Sequence, residues 1–288
     1  MERNDTDREV AAVRGWYDQT ADSFNLRYSG TGGEFWQRFE ETLALELLGD
    51  SAGRILDLGC GPGRLAGSLS SRAAMVLGVD ISPAMIRLAK ATAHPRNVRY
   101  CVMDATRAAV EPSRFDAVIS LGMFEYMADP SPFLREILRI LKPGGLLLFT
   151  SHNRVPFPIR AWLFTESRLR SAIDRVLGKR RGRARDEWFQ TVEHESNEIF
   201  SVLKTLGFVG TDYRGFHFPV SVELFSISAR IPVKTLANTG KSVAVTIDRA
   251  LGRWHATRFL CPVSMFTAHK PSTLDGAHDD SRGLSQKG

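Results

Sequence analysis

Between residues 54 and 150, short unbroken apolar runs alternate with stretches whose apolar positions recur every three to four residues. A continuous run of five or six apolar residues reads as a strand buried on both faces, and the 3.6-residue period reads as a helix covering it. The runs RILDL (54–58), MVLGV (75–79), 98–102, FDAVIS (115–120) and LLLFT (146–150) are the predicted strands. Helices are predicted at 64–71, 83–93 and 132–141. Ser82 stands where an N-cap is needed for the second, with Pro83 at its first position. Lys142-Pro143-Gly144-Gly145 ends the third. This alternation predicts an α/β fold, a doubly wound and mostly parallel sheet.

Upstream, residues 1–50 read as helical and polar, with aromatics at intervals and a clear helix at 34–48 stopped by Gly49. Downstream the pattern loosens. A helix at 193–206, strands at 208–213 and 264–269, and a helix at 241–254 are predicted, which brings the strand count to seven. The expected organisation is an N-terminal helical lid (1–50), a ligand-binding core (51–151) and a basic insertion or cap (152–192). The core then resumes over 193–270, carries a second cap insertion at 217–262, and gives way to a polar tail (271–288) expected to be disordered.

With 43% apolar and 24% charged residues, the 288-residue chain has globular composition. Cys60, Cys101 and Cys261 are scattered and form no CxxC pair, so neither a zinc knuckle nor a disulfide framework is indicated, and no metal site is expected. The charged N-terminus lacks the apolar core of a secretory signal, and no apolar run approaches the ~18 residues of a membrane span. A cytoplasmic protein is expected. The net charge of +6 is concentrated at 168–185, where eight basic residues face one acid, Asp174. Such a block attracts phosphate, and peripheral contact with an anionic inner-membrane surface is one reading; a solvated helix end is the other. No aromatic residue lies in the block to stack on bases.

The sharpest chemical feature is Asp57-Leu58-Gly59-Cys60-Gly61-Pro62-Gly63, directly after a predicted strand and before a helix. Alternate glycines let the backbone turn tightly and approach a ligand closely. The dinucleotide spacing would need its third glycine at position 64, which is arginine, and no Gly-Lys-Ser/Thr follows. Asp80 closes the next strand, 17 residues after Gly63, which puts a carboxylate beside the loop at the carboxyl ends of adjacent strands. Its two oxygens suit the paired hydroxyls of a ribose. Asp104 ends the third strand, where it suits an adenine amino group.

The succession DLGCGPG, VDIS (79–82), MDAT (103–106), FDAVISLGMFEYM (115–127) and LKPGG resembles the class I S-adenosylmethionine-dependent methyltransferases, nearest their small-molecule, quinone-biosynthesis branch. The resemblance covers about 10–150 well and 193–270 loosely. It implies a Rossmann-like, seven-stranded methyltransferase fold with helical cap insertions, and S-adenosyl-L-methionine as cofactor. It places Asp57, Gly59, Cys60, Gly61 and Gly63 in the loop that holds the methionine part. Asp80 becomes the ribose acid, with Ile81 and Met85 beside the adenosine, Asp104 and Ala105 at the adenine, and Ser120 and Leu121 beneath the sulfonium. Tyr17-Asp18-Gln19-Thr20-Ala21 resembles the family's lid motif, and Tyr28 is placed to close over the cofactor. Phe24 stands where the family's second tyrosine falls, and ordinary helix packing explains these aromatics equally well.

The implied reaction is an in-line methyl transfer to a small-molecule acceptor. An apolar or lipid-linked acceptor suits the aromatic stretches 162–164 and 216–220, and a large aromatic metabolite suits them nearly as well. A general base is needed only where the acceptor carries a proton of high pKa. The candidates are His152, Glu125 and Tyr126, with His194 expected to face solvent. Relatives carry Glu-His after the fourth strand; here the pair is Glu125-Tyr126, so a base or metal site of that type is in doubt. Ser120-Leu121-Gly122-Met123 replaces the motif of amino-methylating nucleic-acid enzymes, so nucleic acid is not an expected partner. A non-catalytic cofactor-binding or membrane-adaptor protein, and an RNA methyltransferase, remain the alternatives.

Overall fold

A computed structural model of the chain describes residues 2–28, 31–50, 53–92, 94–154, 191–216, 234–253 and 261–272. The expectations for the basic run 168–185, the aromatic stretch 162–164, residues 217–220, the tail beyond 272 and the Tyr28 side chain lie outside the described residues.

Helices α1 (Glu2–Tyr28) and α2 (Thr31–Leu48) lead into an alternating core: β1 (Arg54–Leu58), α3 (Ala66–Ser70), β2 (Met75–Asp80), α4 (Pro83–Ala91), β3 (Val98–Val102), β4 (Phe115–Ser120), α5 (Ser131–Ile140) and β5 (Leu141–His152). The chain continues through α6 (Ser196–Thr205), β6 (Val209–Phe216), α7 (Lys234–Arg253) and β7 (Val263–His269). The seven strands form one sheet in the order β3-β2-β1-β4-β5-β7-β6. All neighbours as far as β5 pair in parallel, and β7 pairs antiparallel with both β5 and β6. The expected doubly wound α/β architecture is therefore present.

Alternation along each strand splits the core into two layers. Leu56 and Leu58 face α5 and α6, where they join Phe133, Leu134, Ile137 and Ile199. Ile55 faces the other way and joins Phe39, Leu69, Ile86 and Ala89 of α2, α3 and α4. Strand order reverses at β1, which lies between β2 and β4. The carboxyl ends of β1, β2 and β4 consequently border a crevice, the place where open α/β sheets bind ligands.

The cap predicted for α4 is present: the Met85 amide donates to the Ser82 hydroxyl at 3.1 Å. Strand β5 begins five residues earlier than its apolar run, because Leu141 already pairs with Phe115 and the Lys-Pro-Gly-Gly stretch forms a bulge before Leu146 pairs with Ala117. Helix α6 starts three residues later than its periodicity implies. Its N-cap is Glu195, in a capping box with Glu198. The amide of His194 is used elsewhere, donating to the carbonyl of His152 at 2.9 Å.

Candidate functional site

The glycine loop is tied to the end of β2. The amides of Gly59 and Cys60 both donate to the Val79 carbonyl at 2.9 Å, and the Gly61 amide donates to Asp80 Oδ2 at 2.9 Å. The Ser82 amide donates to the other oxygen, Oδ1, also at 2.9 Å. Two backbone donors thus hold the Asp80 carboxylate in one orientation at the crevice. Gly59 has a φ of +71°, and a Cβ there would come within 2.9 Å of the Met123 sulfur. The turn after β4 packs against the loop there, and the left-handed backbone makes any L side chain at that position strained.

Asp57 lies beneath the loop at 3% exposure. Burial pushes its carboxyl up to about 7, with the Asp80 charge adding to the rise and Arg64 opposing it. Burial also raises Asp80, against the hydrogen bonds from Ser82 and Gly61. Desolvation thus favours the neutral form of both carboxyls.

Helix α1 closes one side. Asp18 Oδ1 accepts from the Ser82 hydroxyl at 2.6 Å and from the Ala84 amide at 3.2 Å, so α1 is fastened to the N-terminus of α4. Burial works against the Asp18 charge, but these donors and Arg14 hold its carboxyl below the usual range. Tyr17 donates its hydroxyl to that of Tyr126 at 2.9 Å, and the two rings meet edge to face at 5.8 Å.

A cavity of about 740 Å³ opens between the lid and the strand ends. Pockets of 300–1,000 Å³ accommodate small ligands. Of the sequence-predicted residues, Tyr17, Gly59, Cys60, Gly61, Asp80, Ile81, Asp104, Ala105, Leu121, Glu125, Tyr126 and His152 reach its wall. Asp57, Gly63 and Ser120 do not; Asp57 and Ser120 are buried behind it, and Gly63 packs against Tyr100. Asp104 Oδ1 accepts from the Thr106 amide at 2.8 Å and so caps a short 3₁₀ turn at Ala105–Arg107.

Two expectations are corrected. Met85, placed beside the adenosine by resemblance, has no exposed surface and packs under α1 with Ala21, Phe24 and Ala84, because its position in α4 faces the lid helix. His194 is buried at 7% exposure, not solvent-facing. Its residue bridges to Asn153 before α6 begins, and its ring packs edge to face on Phe124 at 5.1 Å.

The end of the cavity nearest β5 is polar. Glu125 Oε1 lies 4.0 Å from His152 Nε2, while Glu125 Oε2 is buried and has no hydrogen-bond partner among the described residues. Burial lifts the Glu125 carboxyl to about 7 and lowers the His152 imidazole. Glu40 and Arg64 also line the cavity, and neither is indicated by the strand-end logic that finds the others. A signal for Glu40 does exist: it falls in the stripe Trp36, Glu40, Ala44, Leu47, a carboxylate at a helix position otherwise reserved for apolar residues.

Two buried acids, Asp57 and Glu125, and the half-buried Glu40 contribute to the pH dependence of stability. Asp57, Glu40 and Glu125 keep protons in the folded chain up to about pH 7, where the unfolded chain has already lost them. Folding takes up protons in that window, so their contribution makes stability fall as pH rises from about 4 to about 7. The lowered pKa of His152 and of His194 contributes an opposite slope. Glu125→Gln removes one of these titrating carboxyls, so calorimetric melting of this variant should lose less stability than wild type between about pH 5 and about pH 7.5. An unchanged difference would mean that the Glu125 carboxyl is solvated.

Comparison with known proteins finds a family model and several related folds. Residues 56–149 match the family model described as methyltransferase domain. The ubiquinone biosynthesis O-methyltransferase of Pseudomonas fluorescens is 37% identical over 122 residues, 41% of this chain and 51% of that protein. The chain spans about half the length of the curated relatives it matches. Phosphoethanolamine N-methyltransferase 2 of Haemonchus contortus, solved in complex with S-adenosyl-L-methionine, superposes with a TM-score of 0.56 at 21% identity, over 90% of this chain and 60% of that one. The [4+2]-cyclase SpnF superposes with a TM-score of 0.59 at 19% identity, over 90% of this chain and 96% of that one. Residues 56–149 thus match a methyltransferase domain, and part of the chain is similar in sequence to ubiquinone biosynthesis O-methyltransferases.

Proposed function

We propose that the chain transfers a methyl group from S-adenosyl-L-methionine to a small, largely apolar acceptor bearing a hydroxyl. The observation that carries this reading is the Asp80 carboxylate, oriented by the Gly61 and Ser82 amides at 2.9 Å and aimed along the cavity wall. The residues fit the cofactor: the loop at Gly59–Gly61 leaves backbone, not side chain, against the cavity, and Asp80 offers the remaining lone pairs to ribose hydroxyls. Asp104 stands beyond Asp80 for an adenine amino group. Tyr17, Tyr126 and Phe24 present aromatic surface to a cation, which ring quadrupoles attract.

Bound there, the cofactor supplies a methyl carbon that is already activated. The chain's task is then alignment and exclusion of water. Alignment of acceptor and methyl carbon contributes up to about 7–11 kcal/mol in favourable cases. Helix α1, pinned through Asp18 and Tyr17, covers the site, and Glu125 beside His152 receives the acceptor's proton. Val10, Val13, Phe216 and Val263 give the cavity its apolar share. The O-methyltransferase named among the relatives supports a hydroxyl acceptor. The basic run 168–185 supports a lipid-linked acceptor met at an anionic membrane surface, which flotation with anionic vesicles, with and without Arg180→Glu and Arg181→Glu, examines.

The fold alone does not fix the chemistry, as a cyclase on the same fold illustrates. The test is therefore turnover. Calorimetry should show S-adenosylmethionine binding, and a low-molecular-weight cell extract should trigger release of S-adenosylhomocysteine. Binding without release in any acceptor-containing fraction would point to a non-catalytic or cyclase-like role.

A further inference from the structure

Glu40 and Glu41 are adjacent on α2 yet serve different faces, about 100° apart around the helix. The Glu41 carboxylate accepts from the Ser68 hydroxyl of α3. Glu40 instead lines the cavity, together with Arg64, Glu125 and His152. The phase of α2 is fixed by its buried side: Phe39 packs on Phe216 of β6 with ring centroids 6.3 Å apart, and Ala44 and Leu48 are buried on the sheet. Neighbouring positions on that side carry Glu40 over the ends of β4 and β5.

Three proton-holding groups from three separate elements therefore line one cavity: Glu40 from α2, Glu125 from the turn after β4, and His152 from the end of β5. They are not arranged to hold a metal ion, since no such cluster exists among the described residues. The charged groups facing Glu40 are Arg64, Glu125 and His152, and Glu193 also faces His152. Burial, the dominant influence, and the Glu125 charge raise the Glu40 carboxyl to about 7, while Arg64 and His152 oppose the rise.

Building on the methyl-transfer reading above, we infer that Glu40 is a further proton-handling residue of the acceptor site, sharing the acceptor's proton with Glu125 and His152. In the step, the acceptor's O–H bond breaks as its O–CH₃ bond forms. The proton passes to a carboxylate of the Glu40–Glu125 pair, and the electrons of the broken S–CH₃ bond stay on sulfur, neutralising its charge. Because Glu40 comes from the N-terminal helices, the proton acceptor is complete only with α2 seated on the sheet. The N-terminal helices are then part of the reaction centre as well as its cover.

The deciding measurement needs no acceptor. The His152 imidazole NMR signal, followed against pH in the full chain, should report two steps: its own protonation and the ionisation of the carboxyl pair near pH 7. In Glu40→Gln the step near pH 7 should weaken and move to lower pH, while in Glu41→Gln the curve should match wild type. An unaltered His152 curve in Glu40→Gln overturns the inference. In the extract assay, Glu40→Gln should cut release of S-adenosylhomocysteine by about 10–100-fold, part of the usual general-base contribution. Calorimetric affinity for S-adenosylmethionine should stay within about twofold, because Glu40 contacts the acceptor end only. Full turnover in Glu40→Gln also overturns it. If wild type itself binds the cofactor but releases no product, the methyl-transfer reading has failed, and the titration still decides whether Glu40 belongs to the proton-holding trio.

Discussion

Asp80→Ala should raise the Kd for S-adenosyl-L-methionine about a hundredfold, measured by calorimetry at constant pH and salt. Two effects act together. The substitution removes the ionised acceptor aimed at the ribose hydroxyls, and hydrogen bonds to a charged group contribute about 1.5–3 kcal/mol each. It also frees the amides of Gly61 and Ser82, each of which now donates to an Asp80 oxygen at 2.9 Å. The loop then loses its tie to β2 at one of its two anchors, the other being the paired amides of Gly59 and Cys60 on the Val79 carbonyl. Asp80→Asn separates the two effects. Its amide keeps one oxygen for a backbone donor but turns an NH₂ group toward the other, so about tenfold weakening is expected, with less disturbance of the loop. If Asp80→Ala binds as tightly as wild type, the carboxylate does not touch the cofactor and the functional reading loses its central support.

The same residues explain why so much of the site can be read from the chain. Asp57, Gly59, Gly61 and Asp80 act through backbone geometry at strand ends, and strand ends are local: an apolar run, a turn and a helix cap fix them within a few residues. The seven strands follow from apolar runs for that reason. The misjudged features depend on packing between distant segments. Met85 is set beside the adenosine by the family resemblance alone, and only the seating of α1 on α4 shows that its side chain packs under α1. His194 reads as a surface residue beside Glu193 and Glu195. It is buried because Asn153, 41 positions earlier, pairs with its backbone and Phe124 covers its ring. Glu40 has a local signal, a charge in an apolar stripe. Its partners Glu125 and His152 are 85 and 112 positions away, so no sequence window joins them.

The largest loss of stability at the site should follow Gly63→Ala. Gly63 has a φ of +83°, and a Cβ added there would lie 2.4 Å from the Tyr100 hydroxyl and 2.9 Å from the ring carbon bearing it. The left-handed conformation alone costs an L-residue about 1–2 kcal/mol. Overpacking adds about 1–3 kcal/mol where the neighbour has nowhere to go. Tyr100 is such a neighbour: it is 8% exposed, and its ring also lies within 2.7 Å of where a Cβ on Gly78 would stand. The ring is clamped between two glycines on successive structural layers, which explains why a five-residue strand and a glycine loop fit so closely. A total of about 2–5 kcal/mol should lower Tm by roughly 4–20 °C in a chain of this size. Tyr100→Phe removes the atom nearest the new methyl group but leaves φ unchanged. In a double-mutant cycle it should therefore recover part of the overpacking share of the loss, about 1 kcal/mol, and leave the conformational share in place. Strict additivity of the two substitutions would show that the ring does not stop the loop from accepting a side chain. The requirement for glycine at 63 would then rest on backbone conformation alone.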